Sequence, residues 1–151
     1  MSFGGTKNGA IAAEAVVVLN PALLDEGIEQ QLGFLRKQYM QLASKMRFAS
    51  AQFIALFSDD LWLSNATHAN AMATRLASAT RDIPGVRITQ DVQANAVFAV
   101  LPKAAIPAAQ EHTPFYVWDE AAGEVRWVCS WDTQPADIDA FAAALRNAVS
   151  A

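Results

Sequence analysis

The chain has 151 residues, 53% of them apolar and 17% charged, with a formal net charge of −4. That length suits one domain with a real core, and the apolar share excludes disorder. No run of Lys or Arg points to nucleic acid or an anionic membrane as partner, and no apolar run approaches the roughly 20 residues that span a bilayer.

The first stretch, Ser2-Phe-Gly-Gly-Thr-Lys-Asn-Gly9, reads as a glycine-rich turn that presents Lys7. It lacks the basic start and apolar core of a signal peptide. The Val run after Ala15, ended by Asn20-Pro21, predicts a buried strand over Glu14–Leu19. From Gln31 to Phe57 the apolar positions Leu35, Tyr39, Leu42, Met46, Ala49, Phe53 and Leu56 follow helical spacing. Periodicity alone draws one long helix there, with no Pro or Gly after Gly33 to interrupt it. Ser58-Asp59-Asp60 marks a turn or cap. An alanine-rich helix follows over Leu61–Arg81, and Ile83-Pro84-Gly85 closes it.

The second half changes character. Val86–Gln90 and Ala96–Leu101 have hairpin-like spacing, and Pro102 stops the second strand. Lys103–Glu111 reads as a short helix made imperfect by Pro107. Phe115–Trp118 and Val125–Cys129 form a second hairpin around Ala121-Ala-Gly123. Pro135 opens a closing helix over Ala136–Val149, with Ile138, Phe141, Ala142, Leu145 and Val149 on its apolar face. Hairpins with helices laid on one face give an α+β fold, not a doubly wound sheet.

Two segments carry a family likeness. Ser2-Phe-Gly-Gly-Thr-Lys-Asn-Gly9 and Gln41-Leu-Ala-Ser-Lys-Met-Arg-Phe48, the latter sharpest over Ser44–Phe48, resemble the low-specificity threonine aldolases, β-eliminating lyases that use pyridoxal phosphate (PLP). The resemblance implies the small C-terminal domain of an aspartate-aminotransferase-like fold over residues 31–151. Residues 1–30 would be the last segment of the large domain. It also implies a loop near Leu42–Lys45 where periodicity draws continuous helix. The reaction implied is cleavage of a β-hydroxy-α-amino acid, such as threonine, to glycine and an aldehyde. A small-molecule amino-acid substrate and a homo-oligomer come with the resemblance, and neither nucleic acid nor membrane does.

Site residues follow position by position. Lys7 is the amine that the resemblance assigns to the Schiff base with PLP, in place of an inert surface lysine. Thr6 either offers its hydroxyl to the cofactor phosphate or only shapes the turn. Arg47 either neutralises that phosphate, as a guanidinium does in bidentate fashion, or forms a surface ion pair. Lys37 and Lys45 are possible helpers. Arg126 alternates with Val125 and Trp127, so it faces away from them. It either grips the substrate α-carboxylate or sits on a solvated face. Cys129-Ser130-Trp131 stands where the aldolases often carry a Thr-His pair.

His68 and His112 have no metal-like spacing, and His68 reads as helix packing. Cys129, the single cysteine, excludes an internal disulfide, fits a reducing cytoplasm and reads as a small buried hydrophobe. Trp62, Trp118, Trp127 and Trp131 are expected in the core or an interface. An acid for the pyridine nitrogen and a ring-stacking group lie, in the aldolases, before the lysine segment. The chain alone is therefore expected not to turn over substrate. A different class of reading is a non-catalytic α+β interaction or oligomerisation module derived from such an enzyme.

Overall fold

The computed structural model describes the backbone of all 151 residues and every side chain except that of Asp25. Contacts divide the chain into two compact units, Met1–Trp62 and Leu63–Ala151. This packing boundary falls later than residue 30, where the resemblance puts the domain seam.

In the first unit, strands β1 (Ser2–Gly4) and β2 (Glu14–Val16) pair antiparallel, with Phe3 opposite Ala15 and Gly4 opposite Glu14. The buried strand expected over Glu14–Leu19 is corrected: β2 stops at Val16 and lies largely exposed, since it pairs with β1 alone, with Val16 63% and Leu19 71% exposed. Ser2–Gly4 reads as turn in sequence because glycines dominate it. Pairing with β2 satisfies its backbone and so overrides that preference. Helices α1 (Ala22–Asp25), α2 (Ile28–Gln38) and α3 (Met46–Phe57) follow. The single long helix drawn from periodicity is wrong, and the break implied by the resemblance is present over residues 39–45. Met40 takes a left-handed φ of 55°, which ends α2 without Gly or Pro. Consequently Leu35, Tyr39, Leu42 and Met46 stay exposed, while Leu56 is buried and Phe53 packs beside it.

Asp59 and Asp60 have φ of 52° and 55° and turn the chain between α3 and helix α4 (Leu61–Thr80). Asp tolerates this region better than most residues.

The second unit is a two-layer α+β fold. Strands β3 (Arg87–Ile88), β4 (Ala96–Val100), β5 (Tyr116–Asp119) and β6 (Glu124–Val128) form an antiparallel sheet in the order β3-β4-β6-β5. The two predicted hairpins are thus joined through a β4–β6 pairing that matches Val97 with Trp127 and Phe98 with Arg126. Side chains alternate across these strands. Val97, Ala99, Val125 and Trp127 are buried on one face. They pack with Ala73, Leu76 and Ala77 of α4, Ile106 and Ala109 of helix α5 (Ala105–His112), and Ile138, Phe141 and Leu145 of helix α6 (Pro135–Ser150). Burying each large side chain contributes about 1.5–3 kcal/mol. Pro107 falls in the first turn of α5, where a missing N–H costs little. At the start of α6 the Asp137 carboxylate accepts the Gln134 N–H at 2.8 Å. No helix is long and apolar enough to cross a membrane, among the described residues.

Candidate functional site

Lys7 sits in a 3-10 turn, Thr6–Asn8, directly after β1. The turn is held from several sides. Gly5 is buried, its N–H donates to Ala13 O at 2.7 Å, and its carbonyl accepts from Asn8 N and Ala10 N at 3.0 and 3.1 Å. A Cβ at Gly5 would lie 3.2 Å from Ala10 Cβ, 3.2 Å from Phe53 Cε1 and 3.3 Å from Ala13 O. Gly9, at φ 106°, closes the turn in a left-handed conformation that a side chain would strain. Asn8 Nδ2 donates to Trp62 O at 3.0 Å. The Lys7 side chain is exposed, and among the described residues it makes no ion pair. A fixed backbone thus carries an uncommitted amine.

Helix α3 buttresses that turn. Gln52 Oε1 accepts from Ile11 N at 2.7 Å and from Ala12 N at 3.3 Å. Phe3, Phe53 and Phe57 cluster with ring centroids 5.5–6.2 Å apart. The same helix carries Arg47 in its first turn, so Lys7 and Arg47 are mechanically linked through one element. Arg47 is exposed, lies 4.9 Å from the centroid of its neighbour Phe48, and forms no ion pair among the described residues. Lys45 is the N-cap of α3, and no acidic residue stands in its first turn. Two cations therefore sit at the end of a helix whose free N–H groups already favour anions. Without an anion this arrangement is mildly unfavourable; with one it is a binding feature. Thr6 is exposed and its hydroxyl donates to Glu14 Oε1 at 3.2 Å, so it also has a local, turn-shaping partner. Nothing in the structure assigns Lys37 a role; it lies exposed in the last turn of α2.

In the second unit, Arg126 projects from the sheet face opposite the core, as alternation requires. It is half-buried among aromatics: Phe98 is its register partner on β4 and Tyr116 its partner on β5. Its guanidinium carbon lies 5.6 Å from the Trp118 ring centroid, and Trp118 meets Phe98 edge-on at 5.4 Å. Such stacking orients a guanidinium without neutralising it. Among the described residues Arg126 has no carboxylate partner.

Of the remaining candidates, His68, Cys129 and Trp127 resolve as packing. His68 Nε2 is 2.7 Å from Thr133 O, within the second unit. Cys129 is buried, and that desolvation pushes its thiol up to about 11. Trp127 is a core residue, whereas Trp62, Trp118 and Trp131 are not, being 40%, 58% and 43% exposed. A cavity of about 110 Å³ is lined by Leu76, Phe115, Trp127, Cys129 and Phe141 and contains none of the sequence-derived site residues. No cluster of His, Cys, Asp or Glu could hold a metal ion, among the described residues. Sequence reasoning missed Gln52 and Trp118. The aromatic-rich alternation Phe115-Tyr-Val-Trp118 was the available signal for the latter.

These features can be set beside known proteins. The low-specificity L-threonine aldolase of Pseudomonas sp. (strain NCIMB 10558) is 39% identical over all 151 residues. That of Pseudomonas aeruginosa is 40% identical over 133 residues, or 88% of the chain. The chain is a relative of the low-specificity L-threonine aldolases. It spans 42% and 37% of the lengths of these two curated relatives. Among solved structures, threonine aldolase from Leishmania major superposes with a TM-score of 0.80 at 26% identity. That match covers 98% of this chain and 42% of the other. No family model matches the chain. The α+β architecture is therefore that of a threonine aldolase over the matched part.

Proposed function

We propose that this chain carries the cofactor lysine and the phosphate- and carboxylate-binding arginines of a PLP-dependent threonine aldolase, from the C-terminal part of that fold. The reaction is cleavage of threonine and similar β-hydroxy-α-amino acids to glycine and an aldehyde. The observation that carries this reading is similarity to the aldolases along all 151 residues of this chain combined with an exposed, unpaired Lys7 on a rigid glycine turn.

The residues present fit the cofactor in part. The cations at the start of α3 suit a phosphate, and the Lys7 amine is exposed beside the fixed Gly5 turn. Lys7 would hold the cofactor through its amine, Arg47 would neutralise the phosphate, and Thr6 could donate to it on releasing Glu14. When bound, PLP supplies an electron sink for charge left at the substrate Cα. Arg126 would take the α-carboxylate and so fix which Cα bond is aligned to break. The Lys7 amine, once free, can take up or return a proton near Cα.

Treatment with PLP, reduction by borohydride and peptide mass mapping test the assignment without relying on turnover. Label should concentrate on Lys7, ahead of Lys37, Lys45 and Lys103, and vanish in Lys7→Ala. Even labelling of all four would refute it. One observation favours the interaction module as a second reading. Phe34, Tyr39 and Ile54 of the first unit are 65%, 67% and 68% exposed, in keeping with a covered surface in an oligomer. Sedimentation would show a self-associated species without cofactor under that reading.

A further inference from the structure

Glu124 and Arg126 stand two residues apart on the same face of β6, a separation of about 7 Å between Cα atoms. An acid and a base so placed would ordinarily reach each other. They do not pair here. The Glu124 carboxylate instead accepts a hydrogen bond from the Thr89 hydroxyl, which follows β3. In the strand order β3-β4-β6-β5, this draws Glu124 across β4 toward one edge. Arg126 leans the other way, over Trp118 on β5. On one face, the two charges are pulled toward opposite edges of the sheet.

We propose that Thr89 is a positioning residue that detains Glu124 and thereby keeps Arg126 available to an external carboxylate. This rests on the reading of Arg126 as the carboxylate-binding group. An internal carboxylate would compete directly with an incoming one, because both offer two oxygens to the same guanidinium fork. Thr89 and Glu124 are both half-buried, so their hydrogen bond is shielded from water and outlasts a fully exposed one. Trp118 cannot perform this duty, since a ring orients the guanidinium but leaves its charge open to Glu124.

The test follows the Arg126 Nε–Hε resonance of the ¹⁵N-labelled chain during titration with sodium acetate, against sodium chloride at equal ionic strength. The wild-type resonance should shift saturably. Thr89→Val should weaken acetate binding about two- to fivefold, the range set by a competing exposed ion pair. Thr89→Ser, which keeps the hydroxyl, should bind as wild type, and Thr89→Val with Glu124→Gln should regain wild-type affinity. Equal affinity in wild type and Thr89→Val would overturn the proposal. Glu124→Gln alone leaves β3 intact and keeps the question answerable if Thr89→Val fails to fold. A gain of more than about twofold in that variant would mean that Glu124 already competes, against the proposal. If acetate-dependent shifts of β6 backbone amides survive Arg126→Gln, the underlying carboxylate assignment fails instead.

Discussion

Replacing Gly5 and Gly4 by alanine, one at a time, should separate a glycine required by packing from one that is not. Gly5 has φ −86° and ψ −16°, a conformation that alanine adopts freely. Backbone preference alone would make Gly5→Ala stabilising by about 0.4–1 kcal/mol. Packing opposes it. The new methyl would meet Ala10 Cβ, Phe53 Cε1 and Ala13 O at 3.2–3.3 Å, inside the about 3.5–4.0 Å of comfortable contact. None of the three can retreat cheaply, because Ala13 O also accepts the Gly5 N–H and Ala10 is buried. Overpacking of this kind costs about 1–3 kcal/mol, leaving a net loss of about 1–2 kcal/mol. A methyl on Gly4 has the Glu14 carboxylate as its nearest neighbour, at 2.7 Å from Oε2. That carboxylate ends an exposed side chain and can swing away, so Gly4→Ala should stay within about 0.5 kcal/mol of wild type. Native-state hydrogen exchange at Asn8 and Ala10, whose N–H groups both donate to Gly5 O, reads the difference. Each 1.4 kcal/mol is about tenfold, so protection should fall about five- to thirtyfold in Gly5→Ala and hardly move in Gly4→Ala. Unchanged protection in Gly5→Ala would refute the reasoning.

Arg47→Ala should stabilise the first unit by about 0.3–1 kcal/mol in low salt, by removing a cation from the start of α3, and should weaken phosphate binding; phosphate-dependent melting checks both. Leu145, fully buried in the second unit, should cost about 2–5 kcal/mol as alanine, measurable by urea denaturation followed at Trp127. Cys129 makes stability fall with alkali. The thiol is raised from 9.0 to about 11 in the folded chain, so the unfolded state loses its proton first. Its contribution is intact below pH about 9 and is lost between about 9 and 11, by on the order of 2–3 kcal/mol at most relative to Cys129→Ala. Denaturation of both proteins across that range should show the curves diverging.

The elements of the second unit were largely legible because its strands alternate and its helices keep one apolar stripe. Val97, Ala99, Val125 and Trp127 declare their face by period, and so does Arg126 by contrast. The β4–β6 pairing was not legible, since it joins segments separated by α5. The first unit was harder. Its apolar positions from Leu35 to Leu56 keep helical spacing across a break, and the break rests on a left-handed Met40 that no local rule signals. Only the likeness to the aldolases placed a loop there. For the site, the likeness to the aldolases pointed to Lys7, Arg47 and Arg126, and their supports are long-range contacts. Gln52 binds a turn 41 residues away, and Thr89 reaches Glu124 35 residues on. Spacing along a chain does not announce such pairs.

The aromatic setting of Arg126 also gives the molecule an optical property. Trp118 is the most solvent-exposed of the four indoles and lies against the guanidinium, while Trp127 is sealed in the core. An anion that settles on Arg126 therefore alters the polarity around one emitter and leaves the sealed one unchanged. Iodide should quench the three exposed indoles ahead of Trp127, and a carboxylate that occupies Arg126 should shield only the Trp118 share of that quenching, the share lost in Trp118→Phe. The fold thus carries its own reporter on the face where chemistry is proposed, with an internal reference on the other side of the same sheet.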